Sequence, residues 1–154
     1  MEWNLFTTLA RIILTLVTAG YGIGLIVADV NKTHVTNPLW TPHARFHMVW
    51  QVATYTAFAI IAWAFLWLPG PYLTFRMYVV AAFAVAVIGG FVVAFATMPL
   101  YGGKNYDKNG IQPKPVHLFG GVLELDANTT VFTSLTVLLV IALVLTWLGS
   151  FQFS

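Results

Sequence analysis

The chain has 154 residues, of which 59% are hydrophobic and only 8% are charged, and its net charge is +2. Soluble domains carry about 25% charged residues, so this composition excludes a water-soluble globular protein. Without cysteine the chain has no disulfide, thiolate metal site or cysteine nucleophile, and without a basic tract it is a poor match for a nucleic-acid partner.

Four apolar segments are each long enough to cross a hydrocarbon core of about 30 Å. They cover residues 5–30, 42–68, 75–98 and 129–148, and we place them in one integral membrane domain, 1–154. The first segment is expected to be a retained helix rather than a cleaved signal peptide, because the residues before it include Glu2 and no Lys or Arg. The sequence therefore predicts an all-α polytopic membrane protein, a four-helix bundle.

Capping and helix-breaking residues set the ends of these spans. Thr41-Pro42 predicts the start of the second helix, with a hydroxyl N-cap followed by proline at the first helical position. Pro99 is expected to stop the third helix, and Asp126 or Asn128 to cap the fourth.

Small residues recur at helical spacing in two of the spans. Gly20 and Gly24 are four residues apart in the first span, and the third span offers Gly89, Gly90 and Ala94. Such spacing permits helices to approach closely, so we interpret both sets as packing surfaces rather than as a ligand groove.

With four spans, both termini lie on one side of the membrane, here called side B, and the loops 30–41 and 99–128 lie on side A. The segment 115–128 is too apolar for a free loop, and we expect it to lie in the interface or to fold back as a lid. Side A carries five cations and side B two, which favours a cytoplasmic side A in a bacterial inner membrane.

The residues able to do chemistry cluster on side A. All four histidines belong to it, with four of the five acids: His34, His43, His47, His117, Asp29, Asp107, Glu124 and Asp126. Chance would scatter them over both ends of the bundle, so this distribution predicts one interfacial site.

His43 and His47 are four residues apart and share a helix face, a spacing that lets two imidazoles hold one metal ion. In the metal hypothesis His34, His117 and one of Asp29, Glu124 and Asp126 complete the ligands, and zinc, iron and copper all suit such donors. Asp29 is the acid we favour in this set. In the alternative, the histidines only hydrogen-bond headgroups or loop carbonyls.

The acids and Arg45 have their own alternatives. Glu124, Asp126 and Arg45 are the predicted catalytic residues, with the acids as proton donors and Arg45 binding a phosphate or a carboxylate. Arg45 is equally able to extend to the headgroups. Asp29 ends the first span, where a carboxylate opposes the helix dipole, so it is expected to have a partner.

The segment Thr36-Asn-Pro-Leu-Trp-Thr-Pro-His-Ala-Arg-Phe-His47 resembles a family of small four-span membrane proteins from bacteria and fungi. The family signature, Trp-x-Pro-His-Ala-Arg-Phe-His after Asn-Pro, matches over residues 31–51. This family is a domain of unknown function, so the resemblance implies topology and no activity. The layout is more distantly similar to DoxX-like proteins and EXPERA sterol isomerases, which is an analogy of fold alone.

Two classes of function fit these observations. The first is a membrane protein that binds, or acts as an enzyme on, a lipophilic small molecule at the side A site, with a divalent metal or with acid–base groups alone. The second is a structural or assembly subunit whose partners are lipids and other membrane subunits. A third hypothesis, a channel or proton-linked transporter, has less support, because the spans carry few internal charges.

Overall fold

A computed structural model describes residues 4–118 and 120–151. The element order is α1 (Leu5–Asp29), α2 (Pro42–Trp67), α3 (Leu73–Tyr101), β1 (Lys114–Leu118), β2 (Gly121–Leu125) and α4 (Ala127–Ser150). All four helices are long and apolar enough to cross a membrane. At 1.5 Å per residue even α4, with 24 residues, extends about 36 Å. The all-α, multi-pass prediction is confirmed.

Local signals account for most of the helix ends. The Thr41 side chain accepts a hydrogen bond from the backbone N–H of Ala44 at 3.2 Å, as the Thr-Pro pair predicts. Asp126, rather than Asn128, is the N-cap of α4 and accepts from the N–H of Thr129 at 2.8 Å. On side B, the Arg76 guanidinium donates to the carbonyls of Phe65 and Leu68 and so satisfies the last turn of α2.

Pro99 does not stop α3, and the prediction was wrong there. The helix continues to Tyr101 and ends at Gly102, which takes a left-handed φ of 66° and donates its N–H to the Met98 carbonyl. Proline in the last turn removes only one backbone donor, whereas the left-handed cap needs a residue without a β-carbon.

Helix α1 is the centre of the bundle and packs against the other three helices. A β-carbon on Gly22 would lie 2.4 Å from the β-carbon of Ala59 in α2, and one on Gly20 would lie 2.6 Å from Cδ2 of Leu135 in α4. These two glycines let the helix axes approach. Packing was predicted for Gly20 and Gly24, and it holds for Gly20, whereas a β-carbon on Gly24 would meet only the Ala19 carbonyl of the same helix, at 3.8 Å.

The prediction for the third span was wrong, because a β-carbon on Gly89 or Gly90 would meet no heavy atom within 4 Å. Gly90 and Ala94 instead line a cavity between the helices. Small residues thus serve helix packing in α1 and leave open space beside α3.

The segment expected to act as a lid forms a β-hairpin. Strands β1 and β2 pair antiparallel with each other, from Lys114 opposite Leu125 to Leu118 opposite Gly121, and Gly120 makes the turn with a φ of 81°. Val122 is 63% exposed, and no described hairpin residue lines any of the three cavities described in the next subsection. The hairpin therefore projects from the bundle instead of closing it.

Candidate functional site

The site is built where the two side A loops meet. Asn37 is fully buried, and its side-chain amide exchanges hydrogen bonds with that of Asn109, at 3.2 and 3.3 Å. It also donates to the Thr33 carbonyl at 2.8 Å and accepts from the N–H of Leu39 at 3.0 Å. One asparagine thus shapes the loop 30–41 and joins it to the loop 102–113.

Trp40 makes the second link between these loops. Its indole N–H donates to Oδ2 of Asp107 at 3.0 Å. This hydrogen bond, together with the backbone N–H of Asn109, lowers the pKa of the Asp107 carboxyl below its usual value. The Trp40 carbonyl in turn accepts from Nε and Nη2 of Arg45, at 3.2 and 3.0 Å. Arg45 therefore binds the backbone of the loop 30–41 at Trp40. Its catalytic role stays a prediction.

His34 lies between these elements and the end of α1. Its Nδ1 is 2.7 Å from Oγ1 of Thr33 and 3.6 Å from Oδ1 of Asp29, and its ring meets the Trp40 ring edge-on with centroids 5.3 Å apart. Asp29 is itself buried. The expected partner of the helix-terminal carboxylate is thus His34, which also interacts electrostatically with Asp107.

Asp29 and His34 edge a cavity of about 300 Å³ that is lined by residues of all four helices, here called the inner cavity. Its other polar linings are Gln51, Tyr55, Asn105 and Asn128; its apolar linings are Leu25, Met48, Val87, Gly90, Phe91, Ala94 and Phe132. A smaller space of about 250 Å³ between α1 and α4 also reaches both residues.

His34 also lines a cavity of about 570 Å³ on side A, here called the outer cavity. Its other linings include Trp40, Asp107, Lys104 and Lys108, so its walls carry charges that suit water. The imidazole therefore lines both the charged outer cavity and the inner cavity, whose walls are partly polar and partly apolar.

His43 and His47 lie elsewhere on α2. Their Nε2 atoms are 3.0 Å apart, both side chains are exposed, and neither lines any of the three cavities described above. Each step of four residues turns about 40° around a helix, because one residue turns about 100°. Gln51 is therefore about 80° from His43, and it reaches the inner cavity while the histidines face outward.

The remaining predicted residues are separate from both pairs. His117 is on β1 and Glu124 is on β2, and both are exposed. Asp126 caps α4 and accepts from Nδ2 of Asn105 at 2.6 Å. Within residues 4–118 and 120–151, no three His, Asp or Glu side chains lie close enough together to hold a metal ion. Of the predicted ligand set, the structure brings together Asp29 with His34 and His43 with His47.

The sequence placed the centre of the interfacial site in residues 37–47 but gave no role to Asn37 or Trp40, and it missed Tyr55. Asn37-Pro38 and Trp40 lie in the signature segment, which was the available signal for two of them. Nothing in the sequence distinguishes Tyr55 from other polar residues of the spans.

Comparison with known proteins gives one match. A model of a family of unknown function, DUF6640, matches residues 12–125, which is 114 of the 154 residues. The matched region contains Asp29, His34, the His43–His47 pair and Asp107. No curated protein and no solved structure matches the chain significantly. Since the match covers about three quarters of the sequence, the chain belongs to this family of unknown function.

Proposed function

We propose that this protein binds a lipophilic small molecule with a polar head in the inner cavity, and that His34 and Asp29 exchange a proton with that head. The observation that carries the proposal is the position of these two side chains at the edge of a cavity between the four helices, with both polar and apolar walls. Ionisable groups at membrane depth are costly and usually serve a ligand or proton path.

The carboxylate of Asp29 is suited to a ligand that donates a hydrogen bond. Within the described residues this carboxylate has no hydrogen bond, since Nδ1 of His34 is 3.6 Å away. The Asp29 side chain is 10% exposed. A hydroxyl or ammonium group entering the inner cavity would satisfy it. Gln51 and Tyr55 supply further donors and acceptors on the opposite wall, which would fix the orientation of the head.

The two cavities suit proton exchange of the general acid–base kind. A base takes a proton from one atom of the bound molecule, and the conjugate acid returns a proton to another, as in an isomerisation. Apolar substrate can enter from lipid, while protons reach His34 from the charged outer cavity. As part of this proposal, we keep the prediction that side A faces the cytoplasm of a bacterial inner membrane. We also keep the prediction that the Trp-x-Pro-His-Ala-Arg-Phe-His segment is a signature of the family.

The glycine pair of α3 offers a matched test. Gly90 lines the inner cavity and Gly89 does not, and a β-carbon on either meets nothing within 4 Å. Gly90→Leu should fill the cavity, whereas Gly89→Leu adds the same side chain outside it. Lipophiles extracted from the detergent-purified proteins are compared by mass spectrometry.

We expect one lipophile to be enriched in the wild type and in Gly89→Leu and depleted in Gly90→Leu. Asp29→Asn and His34→Gln should weaken its retention, because they alter the groups that face its polar head. Identical extracts from wild type and Gly90→Leu would overturn the proposal.

The second candidate function is an assembly subunit of a larger membrane complex, which the projecting hairpin favours. Val122 and Leu125 are exposed on it, and a hairpin unsupported by the bundle offers a surface for a partner subunit. In vivo cross-linking from an introduced Val122→Cys tests this candidate, with Ile60→Cys on the lipid-facing side of α2 as control. A partner captured only from the hairpin would favour the assembly function.

A further inference from the structure

We propose that His43 and His47 form a two-nitrogen chelate for a divalent transition-metal ion on the outer surface of α2, separate from the inner cavity. The geometry favours ions that accept nitrogen–metal–nitrogen angles near 90°. Among these ions we expect Cu²⁺ to bind most tightly. Water would fill the remaining coordination positions.

The spacing of the two nitrogens fits this chemistry. Their Nε2 atoms are 3.0 Å apart. With metal–nitrogen distances of about 2.0–2.1 Å, an ion held equally by both would have an N–M–N angle of about 94°. Square-planar or octahedral sites use angles near that value, and Cu²⁺ binds nitrogen donors most tightly in the first-row series. A tetrahedral ion would need the nitrogens slightly further apart.

Neighbouring rings hold the two imidazoles in this arrangement. The His43 ring is stacked on Phe46, with 10° between the ring planes, and the His47 ring is stacked on Trp50, with 21° between the planes. The two imidazoles meet edge-on, with centroids 4.5 Å apart. Less side-chain entropy is then lost when an ion binds, because the rotamers are already restricted.

The pair is accessible and needs little rearrangement. His43 is the second residue of α2, and His47 lies about 6 Å further along the axis, so both remain at the membrane surface. In the ion-free state one Nε2 donates its proton to the other. Coordination by both Nε2 atoms requires that this proton move to Nδ1 of its own ring through water.

The test is copper titration of the full chain in detergent, in a buffer without competing ligands. Calorimetry should show about one Cu²⁺ per chain. Removing either imidazole, in His43→Ala or His47→Ala, should weaken binding by about 10²-fold, because the second ligand of a chelate binds intramolecularly. Both side chains are exposed, so neither truncation opens the core. His117→Ala removes an exposed histidine on the hairpin and is the matched control.

Two further readouts locate the ion. Copper should quench Trp50 fluorescence, because this ring is 5.9 Å from the His47 ring. Trp50→Phe should therefore lose much of the quenching and keep the affinity. Electron paramagnetic resonance should show two equatorial nitrogens, and one in either alanine variant.

Equal copper binding by the wild type and the His43→Ala/His47→Ala double variant would overturn the proposal. Loss of the site on His117→Ala would also overturn it. Neither residue of the pair lines the inner cavity, so these outcomes are independent of the lipophile extracts.

Discussion

Replacing Asn37 by alanine should destabilise the protein by about 2–4 kcal/mol. The substitution removes four hydrogen bonds of a fully buried side chain, and each such bond contributes about 0.5–1.5 kcal/mol net. The two bonds to Asn109 are long, at 3.2 and 3.3 Å, which places the total below the sum of four strong bonds. The measurement is the free energy of unfolding in mixed micelles, from an SDS titration followed by tryptophan fluorescence.

Two variants separate the hydrogen bonds from the loss of volume. Asn109→Ala removes only the two amide–amide bonds and a bond to the Lys32 carbonyl, so about half the loss is expected. Asn37→Asp keeps the shape and turns the contacts of 2.8 and 3.2 Å from donor–acceptor into oxygen–oxygen contacts, so it should cost more than alanine. A loss below about 0.5 kcal/mol for Asn37→Ala, or a harmless Asn37→Asp, would refute this reasoning.

Three more predictions follow from the fold and the side A loops. Gly22→Ala should cost about 1–3 kcal/mol because its β-carbon would lie 2.4 Å from that of Ala59, and Ala59→Gly should restore most of the loss in the double variant, measured as unfolding free energy. Asp126→Ala should cost about 1 kcal/mol through loss of the α4 N-cap, while Asp126→Asn should cost much less; equal losses would contradict the capping role. Because the pKa of Asp107 is lowered, its carboxylate stabilises the folded protein above its usual pKa of 3.8. This stabilisation is lost as the pH falls through the lowered pKa. Trp40→Phe should shift this loss to higher pH, as followed by hydrogen exchange of the loop 102–113, and Asp107→Asn should abolish the pH dependence.

Local sequence signals predicted the helices because they act over a few residues. Segment length and hydropathy identify a membrane span without reference to other segments, and the caps at Thr41 and Asp126 are hydrogen bonds to a backbone group three residues on. The end of α3 was misplaced because the Pro99 signal was weighed without the left-handed preference of Gly102.

The sequence also indicated that the histidines and most acids lie at one end of the bundle, because the connections between successive helices alternate between its two ends. It did not determine which of them meet. The direction in which a helix face points depends on what packs against it: Gly22 faces Ala59, while Gly90 faces a cavity.

Only the tertiary structure decided that Asp29 and His34 edge the inner cavity while His43 and His47 face outward. The contacts that fix this arrangement, Trp40 with Asp107 and Asn37 with Asn109, join residues 67 and 72 positions apart. Pairs at such separations form when the bundle brings two loops together, and no periodicity in either loop encodes them. The sequence thus determined the four apolar helices and the end of the bundle that carries the histidines and most acids. Three-dimensional packing decided which of these side chains contact one another.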